Sequence, residues 1–239
     1  LLKSKSLESF LRKDFIQQMF FLHNRLFVFY ELLELKRDKN WQLYKNLIIE
    51  DEIGDPIRYF LYIQSSGNRI NHVYHLKLLS NQIKINLKKI DEVFEFGGGY
   101  GCMARIFTKI NKNIKYTIFD TEIVNLIQFY YLKSLNLEVG FNQEKIRLIY
   151  QQNYKIKKIK NSLFIANWSI SEIPLNYRKK FIKEILRREY FLISFQEKFE
   201  NIDNLKYFLE LQSKLKRRFT CEIIENKYYK GSFYNKQKH

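Results

Sequence analysis

Glu95-Phe96-Gly97-Gly98-Gly99-Tyr100-Gly101 is the stretch on which the reading of this chain turns. Only 8 of the 239 residues are glycine, and four of those 8 fall in this window. The run before it, Glu92–Phe96, has the apolar character of a strand, and the run after it, Tyr100–Ile110, has helical spacing. Glycine between a strand and a helix lets the backbone turn tightly, and it lets a ligand approach with no Cβ in the way. The free N–H groups of the helix start add a field that favours polar or anionic groups.

Two glycine spacings compete. The pattern G-x-G-x-x-G, counted from Gly97, needs glycine at position 102, where Cys102 stands. The pattern acidic-x-G-x-G-x-G is filled at every place, by Glu95, Gly97, Gly99 and Gly101. That spacing resembles motif I of the class I S-adenosylmethionine-dependent methyltransferases. The resemblance implies S-adenosyl-L-methionine as cofactor, held by the loop residues Gly97, Gly98, Gly99, Tyr100 and Gly101. It also places Glu95 at the end of the first strand, facing the methionine amino group. A tight turn that holds no ligand is the plain alternative.

Beyond Asp91 short β-rich runs alternate with helical ones. The strand candidates are Glu92–Phe96, Tyr116–Phe119, Ile146–Tyr150, Leu163–Ala166, Tyr190–Phe195 and Phe219–Ile224. Helical stretches fall at Tyr100–Ile110, Glu122–Leu135, Leu175–Arg188 and Asp203–Arg217. This alternation predicts an α/β, Rossmann-like fold: a mostly parallel sheet with helices on both faces. Such sheets bind ligands outside the carboxyl ends of their strands. The residues just past each strand are therefore the candidate site.

The second strand ends in Asp120. A carboxylate there accepts two hydrogen bonds from a ribose diol. It is equally placed to cap the next helix. NAD would use Asp120 the same way, so this residue does not separate the two cofactors. Past the third strand, Gln151 or Asn153 offers amide hydrogen bonds to an adenine, the group that residues here line in class I methyltransferases; a polar loop is the other reading. Past the fourth stands Asn167-Trp168-Ser169-Ile170-Ser171-Glu172-Ile173-Pro174. Asn167 can hydrogen-bond near the methionine moiety or the acceptor, and Trp168 offers a flat face to a sulfonium or a sugar ring. Ser169-x-x-Glu172 is also a capping-box pattern, so Glu172 reads as either cap or catalyst, and Trp168 as either site or core.

From residue 1 to 90 the chain reads as a helical cap, and 91–239 as the cofactor-binding domain. Helices are expected over Ser6–Lys36, Trp41–Ile49 and Asn71–Leu87, with Gly54-Asp55-Pro56 as a breaker. The apolar run Phe15–Leu33 is interrupted by polar residues and does not suit a membrane span. His72 has the right pKa range for a general base and lies in the cap, with His75 behind it as a weaker candidate. A packing histidine is the ordinary alternative. No metal site is expected, since His23, His72, His75 and the two cysteines lack zinc spacing.

Forty-two Lys+Arg against 25 Asp+Glu give a net charge of +17, which attracts polyanions. A codon bias toward A and T yields the same Lys, Ile, Asn, Phe and Tyr excess without functional meaning. The densest basic run, 155–160, reads as a solvated strand connection. Two cysteines cannot make a disulfide framework, which points to a reducing, cytoplasmic setting. Cys102, despite its place at a helix start, reads as a small packing residue.

Phe94–Gly101, Tyr116–Asp120, Gln128–Leu132 and Phe164–Pro174 together resemble the sugar O-methyltransferases of bacterial surface-polysaccharide clusters. Tyr190–Gln196, Ile202–Asn204, Gly54–Pro56 and Ile70–His72 are similar as well, so the resemblance runs from about Glu50 onward. It implies a methyl transfer to a sugar hydroxyl, on a polysaccharide or a nucleotide-linked precursor. In that case the basic surface would help to hold a diphosphate. The partner is then a small-molecule or oligosaccharide acceptor. A nucleic-acid methyltransferase using the basic surface is the second reading, and a non-catalytic binding protein of the same fold the third.

Overall fold

The computed structural model describes residues 8–20, 22, 25–142, 144–151 and 159–224, and the backbone of 232–237. Its centre is a sheet that, among the described residues, has eight strands in the order β3-β4-β2-β1-β5-β6-β10-β9. These are β1 Glu92–Phe96, β2 Lys115–Phe119, β3 Val139–Gly140, β4 Ile146–Ile149, β5 Ser162–Asn167, β6 Tyr190–Ser194, β9 Phe219–Ile224 and β10 Ser232–Gln237. From β3 through β6 every pairing is parallel. β10 is antiparallel to both β6 and β9. A separate two-residue hairpin joins β7 Lys198–Phe199 to β8 Ile202–Asp203. The mostly parallel, helix-flanked sheet expected from the sequence is thus observed. β1 lies between β2 and β5, so the strand order reverses beside it, and the ends of these strands form the switch point.

Alternation of side chains along the strands makes two cores. Val93, Leu163, Ile165 and Leu192 point to one face, beneath α4 Gly67–Ile83, α5 Cys102–Ile110 and α6 Glu122–Ser134. Phe94, Phe164, Phe191 and Ile193 point to the other, beneath α7 Leu175–Ile185 and α8 Asn204–Leu215. The first core continues without a break into the front helices α1 Asp14–Phe20, α2 Leu26–Lys36 and α3 Trp41–Ile48, through Leu11, Val28, Leu32, Leu47 and Ile48.

Three expectations for the front part need correction. The single helix over Ser6–Lys36 is a 3-10 turn at Phe10–Arg12 followed by α1 and α2. Asn68 gives the reason: its Nδ2 donates to the Phe20 carbonyl and its Oδ1 accepts from the Leu22 amide, so a side chain takes the place of helical bonds. The helix expected over Asn71–Leu87 starts a turn earlier, because Ser66 Oγ accepts from the Arg69 amide as an N-cap. It ends at Ile83, where Lys84 adopts a left-handed conformation. Buried Arg69 then fixes α4 to its surroundings, donating to Glu50, Asp51 and the Tyr131 hydroxyl. Asp51 passes the link on to Arg105 of α5.

Candidate active site

Gly97, Gly99 and Gly101 have φ of +71°, +54° and +100°, values that disfavour any residue with a Cβ. Space imposes a second requirement. A Cβ on Gly97 would lie 2.2 Å from Ser169 Cβ, one on Gly98 would lie 2.6 Å from Ile118 Cγ2, and one on Gly101 would lie 3.2 Å from Leu132. Gly97 and Gly98 are therefore demanded by the protein's own packing. At Gly101 the Leu132 side chain would have to give by a few tenths of an ångström, and the positive φ is the stronger demand. Gly99 differs: a Cβ there would meet Phe20 first, at an ordinary contact of 3.5 Å. Gly99 is the loop position whose nearest neighbour on that side is Phe20 of α1.

Two carboxyl groups sit beneath and beside this loop. Glu95 is buried on the face shared with Tyr116, whose hydroxyl donates to Glu95 Oε2 at 2.8 Å. Burial raises its carboxyl to about 8, the Tyr116 hydrogen bond opposes this, and Asp120 pushes it further up. Asp120, at the tip of β2, accepts from the Thr121 amide at 2.8 Å and from Gln128 Nε2 at 3.0 Å. The nearby Gly98 and Gly99 amides favour its charged form. Burial nevertheless raises Asp120 to about 6. The cap expected of Asp120 does not form, since Thr121 is the N-cap residue and Asp120 accepts from the Thr121 amide itself; through Gln128 the carboxylate is tied to the glycine loop.

At the tips of β5 and β6, Ser194 Oγ donates to Asn167 Oδ1 at 3.0 Å and contacts His75 Nδ1 at 3.1 Å. Asn167 also hydrogen-bonds the His75 ring. Burial, reinforced by His72, lowers His75 to about 3, so it is a neutral packing group. His72 stands one turn earlier on α4, on the same helix face as Asn68 and His75. Burial lowers it to about 4 and Arg69 adds to the effect. Its Nδ1 is buried with no hydrogen-bond partner among the described residues, and so is Asn167 Nδ2. Two unpaired buried nitrogens suit a polar ligand.

Other expected positions fall differently. The Tyr100 side chain turns into the core against Tyr131, with ring centroids 5.0 Å apart, so only its backbone remains at the loop. Cys102 is a buried packing residue as expected, its thiol pushed up to about 12 by burial. The capping box does not form: Ser169 Oγ donates to the Phe96 carbonyl, and Glu172 instead accepts from Gln196 Nε2 at 3.3 Å. Glu172 is exposed and its carboxyl is raised by desolvation. Trp168 is part-buried at φ +66°, a strained conformation for a non-glycine residue. Gln151 is exposed, and Asn153, His23 and 155–158 lie outside the described residues.

Sequence reasoning missed Ser194, Tyr116 and Phe20 as parts of this region. Ser194 had a signal, a polar residue closing an otherwise apolar strand; Phe20 had none.

No protein-family profile matches the chain. The ribonuclease P protein component of Mesomycoplasma hyopneumoniae, in strains 7448 and J, is 34% identical over 91 residues, which is 38% of this chain and 76% of that protein. Among solved structures, a SAM dependent methyltransferase from Aquifex aeolicus aligns with a TM-score of 0.50 at 15% identity, over 67% of this chain and 88% of that one. The second likeness is one of fold, and it identifies the sheet as the Rossmann-like class I methyltransferase fold.

Proposed function

Over 91 residues the chain belongs to the ribonuclease P protein component family while its sheet has the class I methyltransferase fold, and we propose that the sheet decides its activity: an S-adenosylmethionine-dependent O-methyltransferase acting on a sugar hydroxyl. The observation that carries this reading is the wiring at the tips of β1 and β2, where Gln128 ties Asp120 to the glycine loop at Gly99. Asp120 holds a ribose diol, the backbone of Gly97–Gly101 cradles the nucleoside, and Glu95 and Asn167 flank the amino-acid part. Gln151 reaches the adenine, and Trp168 closes the floor. When bound, the cofactor supplies an electrophilic methyl group on a sulfonium.

The residues of the cap serve the acceptor. His72 is neutral above pH ~4, so its unpaired Nδ1 can accept the proton of an attacking hydroxyl. Glu172, raised by desolvation, is the second candidate base. Phe20 and α4 keep water from the site, in keeping with residues 1–90 as an acceptor-side cap.

Methylation of RNA or DNA has the +17 charge and the ribonuclease P kinship in its favour. Against it, the described residues that follow the strands carry Asp120, Glu122, Glu172, Glu197 and Glu200 but only Lys198 as a cation. Incubation with methyl-labelled cofactor and neutral oligosaccharides, nucleotide sugars or RNA tests the reading. Label on the oligosaccharide supports it. Label on RNA overturns the sugar acceptor, and saturable cofactor binding with no transfer to any of them points to a binding protein.

A further inference from the structure

Arg178 of α7 is fully buried, and none of its partners among the described residues is a carboxylate. Its Nε donates to the Ile173 carbonyl at 2.9 Å, its Nη2 to the Ser171 carbonyl at 2.7 Å and its Nη1 to Asn204 Oδ1 at 2.8 Å. The Tyr207 ring centre lies 4.8 Å from the guanidinium carbon. This is a poor place for a cation on two counts. A buried charge without a counter-ion costs free energy. The first turn of a helix, where Arg178 stands, also disfavours positive charge. An apolar side chain of similar volume would fill the space at lower cost, so packing alone does not account for Arg178.

The guanidinium bonds converge on one segment. Ser171 and Ile173 belong to the stretch that follows β5, and Asn204 Nδ2 donates to the same Ser171 carbonyl at 3.2 Å. The Ser171 amide in turn donates to the Trp168 carbonyl at 3.0 Å, and the Trp168 amide donates to the Ser194 carbonyl at 2.9 Å. Trp168 has φ +66° and ψ −37°, a conformation rarely adopted by a residue with a side chain. Such residues persist only where their surroundings over-determine them, and they cluster at working sites. On the other side of the segment, Ser171 Oγ donates to Gln196 Oε1 at 2.8 Å, and Gln196 donates to Glu172. Trp168 and Glu172 therefore hang on the same anchored turn.

Resting on the methyltransferase reading of this site, we propose that Arg178 is a positioning residue. With Asn204 it holds residues 168–173 in one conformation, and so sets the Trp168 ring and the Glu172 carboxyl for the acceptor. It touches neither cofactor nor acceptor itself. Without its fork of donors the segment relaxes and Trp168 leaves its positive φ.

The test uses a Trp41→Phe protein, in which Trp168 is the single tryptophan, and reads acrylamide quenching with no ligand present. Arg178→Leu should raise the quenching constant and shift the emission to the red, as should Arg178→Lys, which keeps the charge and loses the fork. With a saccharide acceptor kcat should fall by about 10²-fold in both, the usual loss for a misplaced site, while S-adenosylmethionine affinity falls far less. Arg188→Leu removes another buried guanidinium, paired with Glu92 at the opposite end of the strands. It should lower the unfolding midpoint and leave quenching and kcat at native values. If neither Arg178 variant folds, Asn204→Ala, which removes a donor to Ser171 and an acceptor of Arg178, carries the same expectation. Native quenching and kcat in a folded Arg178 variant would overturn the proposal, as would equal changes in Arg188→Leu. A native protein that methylates no acceptor would overturn the reading of the site, and quenching would still decide whether Arg178 sets Trp168.

Discussion

Gln128 Nε2 donates to Asp120 Oδ2 at 3.0 Å and to the Gly99 carbonyl at 2.9 Å, so one side chain of α6 ties the tip of β2 to the glycine loop. Gln128→Ala leaves both acceptors short of a donor in a mostly buried setting. The expected loss is about 1–3 kcal/mol of stability, read by urea unfolding, together with weaker cofactor binding. The more conservative Gln128→Glu keeps the length but sets a carboxyl against Asp120, and should weaken cofactor binding further.

The glycines should separate by role. Gly97→Ala forces its Cβ onto Ser169 in a left-handed conformation, and should cost several kcal/mol, at or beyond the usual ~1–3 kcal/mol of overpacking. Gly99→Ala meets Phe20 first, at an ordinary contact, so it should cost about 1–2 kcal/mol, chiefly from its positive φ. Cofactor affinity in the folded Gly99 variant should nevertheless fall, because the loop backbone loses the residue that favours its left-handed conformation. Equal stability losses in the two variants would contradict this division.

Buried Glu95 makes stability depend on pH. Its carboxyl titrates near 4.5 when unfolded and near 8 when folded, so the native state holds the proton more tightly. The stability it contributes is complete below pH ~4.5 and is lost as pH rises through about 8. Asp120, raised to about 6, acts with the same sign at lower pH, so the window from pH 6 to 9 isolates Glu95. Glu95→Gln keeps the Tyr116 hydrogen bond, removes the titration, and should flatten the urea midpoint across that window. An equally steep fall in the variant would show that Glu95 is not its source.

If His72 takes the acceptor proton, its low pKa leaves a signature. Turnover should rise with pH through about 4 and stay level from pH 5 to 8. His72→Ala should lose about 10²-fold in turnover and leave cofactor affinity intact. An acid limb near 6.5, or unchanged turnover in the variant, would exclude His72.

Most of the sheet was legible because its strands are short apolar runs bounded by polar turns, as at Leu163–Ala166 and Tyr190–Phe195. The glycine loop and Asp120 were legible because each sits directly after such a run. β10, Ser-Phe-Tyr-Asn-Lys-Gln, escaped because its pairing with β6 and β9, not its own pattern, makes it a strand. The break in the front helix escaped because it depends on Asn68, more than 40 residues away. Local spacing suggested a cap at Ser169, yet the hydroxyl serves the β1 carbonyl at Phe96, a partner that only the assembled sheet supplies. Tyr100 adjoins the loop in sequence, while its side chain joins the Arg69 and Tyr131 group.

Calorimetric titration with S-adenosylmethionine, alongside S-adenosylhomocysteine and NAD, measures the central claim directly. The account predicts saturable one-to-one binding of the two adenosyl thioether compounds, no heat with NAD, and at least a tenfold weaker affinity in a folded Asp120→Ala variant. Tight NAD binding, or no binding of either sulfur compound to the native protein, would contradict it.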